Sequence, residues 1–263
     1  MREEDEGSNG APAVGRALRI LELLSEHEGS LRMTDMADEL GLPKSSMHHL
    51  LAALETRGWI ERVPANREFV LGIRAWEVGR KYGAAQTLGQ RAQSEMDRVR
   101  DDLEETVRLA VRSGRENVLI GKSQGKQPLV FDQPVGARLP AYATGLGKAL
   151  LLGLSPAELD ELYAGAEFEP FTENTNTSLK ALRADLARSR ARGWAEDAGE
   201  YMLGVRCVAV PILAADGSVV AALSVSAPAV RLTDERLLVV KDALLEAASA
   251  VSSRLGSTLT AVE

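Results

Sequence analysis

The run Ala37-Asp38-Glu39-Leu40-Gly41-Leu42-Pro43-Lys44-Ser45-Ser46-Met47-His48-His49-Leu50-Leu51-Ala52-Ala53-Leu54 decides how the N-terminal part of the chain folds. A small residue (Ala37) lets two helices approach, Gly41 makes the turn between them, and the apolar Met47 locks the second helix onto the first. Pro43 suits the first turn of the new helix. Lys44, Ser45, Ser46, His48 and His49 are then left at the polar front of that helix, the position from which a helix-turn-helix meets a major groove. Upstream, Val14, Ala17, Leu18, Leu21 and Leu24 recur at helical spacing and predict a first helix with one buried face. Thr34 is placed as the N-cap of the second helix, with Met36, Ala37 and Leu40 on its inner face.

Downstream, Trp59-Ile60-Glu61-Arg62-Val63 and Glu68-Phe69-Val70-Leu71 read as two short strands joined by the polar turn Pro64-Ala65-Asn66-Arg67. A hairpin with a basic tip after the third helix is a wing, and Arg67 is placed to meet a minor groove or a phosphate. Residues 13–72 are thus expected to form a winged helix-turn-helix, with residues 1–12 as a disordered tail. Met1 to Gly10 carry neither a basic nor an apolar leader region.

Length and charge agree with two domains. The chain has 263 residues, 45% of them hydrophobic and 26% charged, enough for two cores. Its formal charge is −7, yet residues 11–83 hold ten Lys and Arg against ten acids, so the excess acid lies elsewhere. A neutral domain binds nucleic acid when its cations share one face. No apolar run is long enough to span a bilayer, and the single cysteine, Cys207, fits a reducing, cytoplasmic setting. Adjacent helical histidines diverge by about 100°, so His48 and His49 are not expected to bind metal, and no cofactor is implied.

Residues 73–105 read as connecting helices, broken near Gly83 and Gly89, whose Trp76, Val78, Tyr82 and Leu88 are expected to pair with a second copy. From 106 to 263 the texture changes. Strands are expected at 106–112, 117–122, 128–132, 205–213 and 219–226, and helices at 144–152, 156–164, 178–192 and 233–255. Strands, then helices, then strands make an α+β domain with an antiparallel sheet and a cup over it.

Three features are expected to line that cup. Thr144-Gly145-Leu146-Gly147-Lys148 opens a helix whose glycines leave the first N–H groups exposed as an anion site. It is not a P-loop, because Ala149 stands where Ser or Thr is required. Ser224 and Ser226 lie on one face of a strand, with Leu223 and Val225 on the other. Cys207 reads as a small buried hydrophobe. All three histidines (His27, His48, His49) precede this domain, so nothing there activates Cys207 or a serine, and Asp197 with Glu200 make a carboxylate pair without other acid–base groups. An enzyme that processes a small acid, with the N-terminal module as a docking unit, is therefore the weaker alternative.

The motifs Val14-Gly15-Arg16-Ala17-Leu18-Arg19-Ile20-Leu21, Gly41-Leu42-Pro43-Lys44-Ser45-Ser46 and Phe69-Val70-Leu71-Gly72 resemble the DNA-binding half of IclR-type transcriptional regulators. The segments 138–149, Arg192-Gly193-Trp194 with Glu196-Asp197, Gly204-Val205-Arg206-Cys207-Val208-Ala209 and Leu223-Ser224-Val225-Ser226-Ala227-Pro228 resemble the family's effector half. The resemblance implies a GAF-like effector domain, a homodimer or dimer of dimers on operator DNA, and a small carboxylate effector held by Gly145, Leu146, Asp197, Cys207, Ser224 and Ser226, beside Thr144. Two positions depart from the family: Ser46 stands where Thr is usual, and His49 where Arg is usual, which removes a bidentate guanine or phosphate contact. The bulky Tyr201 and Met202, with Phe131, suit an aromatic or larger acid.

Overall fold

The computed structural model describes residues 11–27, 29–79, 83–127 and 132–256. It divides into two compact units, Met1–Gly83 and Ala84–Glu263. The boundary falls within the stretch read as connector.

The first unit carries helices α1 (Pro12–Glu26), α2 (Met33–Glu39) and α3 (Lys44–Thr56), strands β1 (Ile60–Val63) and β2 (Glu68–Leu71), and helix α4 (Ile73–Gly79). Gly41 adopts φ +62°, so the turn needs a residue without a Cβ. Ala37 and Met47 are buried on either side of it. Two details differ from expectation. Helix α1 buries Ile20, Leu23 and Leu24 and leaves Val14 and Leu18 exposed, so its inner stripe is rotated from the one the spacing suggests. Helix α2 begins at Met33, which makes Arg32 the N-cap and turns the Thr34 hydroxyl to the Asp35 carboxylate at 3.2 Å. The hairpin pairs Ile60 with Leu71 and Val63 with Glu68, and Leu31 adds a bridge to Phe69.

The second unit is built on an antiparallel sheet ordered β5-β4-β3-β8-β7-β6. Its strands are β3 (Val107–Ser113), β4 (Glu116–Ser123), β5 (Arg138–Pro140), β6 (Ala195–Ala198), β7 (Val205–Leu213) and β8 (Val219–Pro228). Its helices are α5 (Gly83–Leu103), α6 (Gly145–Leu151), α7 (Pro156–Leu162), α8 (Leu179–Arg192) and α9 (Asp234–Gly256). Strand alternation sends Val107, Leu109, Val208, Val210, Leu223 and Val225 to one face, where they pack on α5 and α9. Ala110, Leu119, Ala195, Ala209 and Ala222 face the other way and seat α6 through Leu146, Ala149 and Leu150. Leu88 lies in the first of these cores, so it packs within its own chain and not against a partner. Of the expected strand at 128–132, Asp132 is outside any strand and the rest lies outside the described residues, as do Tyr82 and Phe131; the strand flanking β4 is β5.

Candidate functional site

Two surfaces answer to the sequence motifs, one in each unit. On α3, Met47, Leu51 and Leu54 are buried, whereas Lys44, Ser45, His48 and His49 are exposed and Ser46 is half-buried. The helix thus presents a polar front over an apolar back. The rings of His48 and His49 meet edge-on at 6.1 Å, and no group of acids, histidines and cysteine able to hold a metal occurs among the described residues. Arg67 sits exposed at the hairpin tip with φ 58°, an uncommon left-handed conformation for a residue with a Cβ. Arg62 stacks over Phe69 at 4.8 Å and stiffens the wing.

In the second unit a cavity of about 640 Å³, its mouth included, opens between the α6 face of the sheet and the loop after β6. Strand register accounts for its floor. Asp197 on β6 pairs with Cys207 on β7, and Cys207 pairs with Ser226 on β8, so the three side chains share one row. All three line the cavity with Thr144, Gly145 and Leu146. Ser224 lies one row further along, opposite Arg108 of β3, fully buried with its hydroxyl unpartnered, and it does not reach the cavity wall.

The start of α6 works differently from the bare anion site read in the sequence. Thr144 caps Gly147 N through its hydroxyl at 3.2 Å, and that hydroxyl also receives the Asn117 side-chain amide at 2.8 Å. The glycines serve close packing. A Cβ on Gly145 would stand 2.7 Å from Cys207 Sγ, and one on Gly147 would stand 2.2 Å from Ala141 Cα. Lys148 turns away from the cavity. Its ammonium is fully buried, donating to Asp185 at 2.7 Å and to Glu200. Asn176 bonds Glu200 at 2.9 Å, and Arg188 bonds Asp185 from outside at 2.9 Å. Asp197 and Glu200 are therefore no catalytic pair: Asp197 Oδ1 accepts the Glu200 backbone N–H at 2.6 Å while the Glu200 side chain faces Lys148.

Burial governs the electrostatics. It raises the Cys207 thiol to about 11 despite the nearby Ser226 hydroxyl, so the thiol stays protonated and is no nucleophile. It raises Asp197 to about 6 against the pull of the Glu200 backbone N–H and the Lys148 charge. It raises Glu200 to about 7 although Lys148 draws it down. Because Glu200 ionises near 4.5 when unfolded, the folded chain holds its proton more tightly, and the resulting stabilisation is full below that value and fades as pH rises through 7. Denaturant unfolding should show Glu200 contributing a fall in stability of roughly 2 kcal/mol from pH 5 to pH 8, on top of a smaller fall of the same sign from Asp197. Glu200→Gln should flatten that slope; an unchanged slope in the variant would assign it to other groups.

The sequence reading missed Arg108, Leu119, Gln133, Leu139, Val205, Ala227 and Pro228 as cavity wall. For Arg108 a signal was present. In a strand whose Val107, Leu109 and Val111 face one core, Arg108 sits between Thr106 and Ala110 on the opposite face, and a cation inside a central strand is rare without a task.

A winged helix with a polar reading face, in one chain with an α+β domain that carries a pocket, defines the class of ligand-sensing transcriptional regulators. Known proteins give the family. Residues 13–64 match the IclR helix-turn-helix domain, and residues 81–253 match the bacterial transcriptional regulator IclR C-terminal domain. The HTH-type transcriptional regulator XynR of Escherichia coli K12 is 37% identical over 244 residues, covering 93% of this chain and 97% of its own. The acetate operon repressor of Salmonella typhimurium is 33% identical over 256 residues, 94% and 93% of the two chains. The crystal structure of an IclR homologue from Microbacterium hydrocarbonoxydans, complexed with 4-hydroxybenzoate, superposes with a TM-score of 0.83 at 27% identity, covering 92% of this chain and 98% of that one. The chain belongs to the IclR family of DNA-binding transcriptional regulators. The enzyme alternative finds no support among these relatives.

Proposed function

We propose that this regulator reads operator DNA through Lys44, Ser45, Ser46, His48 and His49 in the major groove and Arg67 at the wing, and that a small carboxylate in the second unit modulates its operator affinity. The observation that carries the DNA half is the two-sidedness of α3, whose apolar back is buried while its polar front is exposed. The effector contacts are Gly145, Leu146, Asp197, Cys207 and Ser226, with Thr144 shaping the helix start and Ser224 lying behind the wall. An aromatic acid fits the bulky side of the cavity, where Tyr201 lies 4.9 Å from Phe171 at the end of an aromatic cluster with Tyr142, Tyr163 and Phe168. The homologue bound to 4-hydroxybenzoate supports the same class.

The protein works as a homodimer or dimer of dimers in the cytoplasm, with residues 13–72 as reader, 73–105 as connector and 106–263 as sensor. No described helix is long and apolar enough to cross a membrane. An effector alters operator affinity only by binding two arrangements of the protein with different free energies. Fluorescence anisotropy on DNA from upstream of the gene, at fixed salt and with unlabelled competitor, tests both halves by titration with aliphatic and aromatic acids. Specific binding shifted by one acid is expected; identical affinity with and without every acid would remove the sensing half.

If Lys44 and Arg67 meet phosphates, alanine at either should weaken binding and reduce the slope of log K against log salt by about one unit each. An unchanged slope would take that residue out of the interface.

A further inference from the structure

Among the described residues the cavity wall carries two charged side chains, and they stand on different strands. Arg108 belongs to β3 and Asp197 to β6, with β8 and β7 between them. At roughly 4.8 Å per strand their backbones lie about 14 Å apart, and no ion pair joins them. Arg108 is 4% exposed and lines the cavity from β3. Asp132 approaches the guanidinium at 3.9 Å from a half-exposed position and is itself engaged by Lys122. Asp197 is held at the other end by the Glu200 N–H. Leu146, Tyr201, Met202 and Val205 give the cavity an apolar lining, and Leu119 of β4 and Leu139 of β5 extend it on the far side of Arg108.

We infer that Arg108 is the specificity-determining anchor for the effector's carboxylate, and that Asp197 selects a hydroxyl at the far end of an apolar body. The inference rests on the reading of this cavity as the effector site. It sets the ligand's direction. An acid that placed its carboxylate beside Asp197 would bring two like charges together in a buried site, whereas the guanidinium offers a planar fork matched to a carboxylate. Burial holds the guanidinium pKa below its ordinary value although Asp132 draws it up, and a ligand carboxylate beside it acts in the same direction as Asp132. The Asp197 carboxyl accepts a hydrogen bond from a hydroxyl when ionised and donates one to it when protonated, so a hydroxyl suits it in either form. The class is a hydroxylated monocarboxylic acid with an unbranched or aromatic spacer.

The test is calorimetric titration of the full chain with 4-hydroxybenzoate, benzoate, 4-hydroxybenzamide and 6-hydroxyhexanoate. The hydroxylated acids are expected to bind best, benzoate more weakly, and the neutral amide at least tenfold more weakly than its acid. Arg108→Met should lower affinity for the best acid about 100-fold, the usual scale for removing one partner of a buried charge pair. Arg108→Lys should recover part of that loss, which keeps the test valid if the methionine variant folds poorly. Asp197→Asn should narrow the gap between 4-hydroxybenzoate and benzoate. Binding to Arg108→Met within threefold of wild type, with operator affinity intact, would overturn the anchor and leave the effector site standing. Failure of all four probes, with other acids still shifting operator binding, would overturn the ligand class alone. Failure of every acid in both assays would overturn the effector-site reading and the anchor together.

Discussion

Lys148→Met is expected to cost the second unit about 3–5 kcal/mol at pH 8, the range for removing one partner of a buried ion cluster. The ammonium is fully buried, and the carboxylates of Asp185 and Glu200 converge on it. Methionine fills much the same volume, so little of the loss comes from packing. It comes from two acids left in a poorly solvated site, with Asn176 and the outlying Arg188 as their remaining partners. The loss should shrink toward pH 5, where burial already favours protonated Glu200. Adding Glu200→Gln to Lys148→Met should recover part of the stability, because one stranded charge disappears. Chemical denaturation of the single and double variants at both pH values measures all of this. A single-variant cost below about 1 kcal/mol would mean that water reaches the cluster.

This cluster also marks where sequence reading stops. Gly145-Leu146-Gly147-Lys148 was legible as the start of a helix, and α6 does start there. Its chemistry was not legible, because the partners of Lys148 lie 37 and 52 positions away on α8 and in the loop after β6. Local pattern alone suggested bare N–H groups at the helix start, open to an anion. The helix-turn-helix was readable because its determinants are local: a turn glycine, a small residue and an apolar lock within one short run. Strands β7 and β8 were readable because long apolar stretches admit few alternatives. Strand β6 was missed, since four residues with two acids carry no apolar alternation. Arg108 was missed because its role depends on which face of the sheet the cavity occupies, and register decides that. The stripe of α1 was misjudged because Val14 and Ile20 are equally apolar, and only the packing partners separate them.

Gly147→Ala is expected to cost about 2–4 kcal/mol, toward and beyond the upper end for overpacked cores, and to lower Tm by roughly 5–10 °C. The added Cβ would lie 2.2, 2.4 and 2.6 Å from the Cα, carbonyl oxygen and carbonyl carbon of Ala141. These are backbone atoms of a 3₁₀ turn (Ala141–Ala143) that is itself buried, so no flexible side chain can give way. Helix α6 must then move, and all seven of its residues are buried, Gly145 against Cys207 and Leu146 in the cavity wall. Acid binding should therefore weaken along with stability. Operator binding without acid should persist, since the core of the first unit shares no residue with α6. Gly15→Ala is the control: its Cβ meets nothing within 4 Å and it lies inside α1, so the same chemical change should be neutral or stabilising by up to about 1 kcal/mol. Calorimetric melts of the two variants, with acid titrations on each, separate the cases. Equal melting temperatures would mean that α6 slides along the sheet without loss, and the close contact of Gly147 with Ala141 would no longer account for glycine at this position.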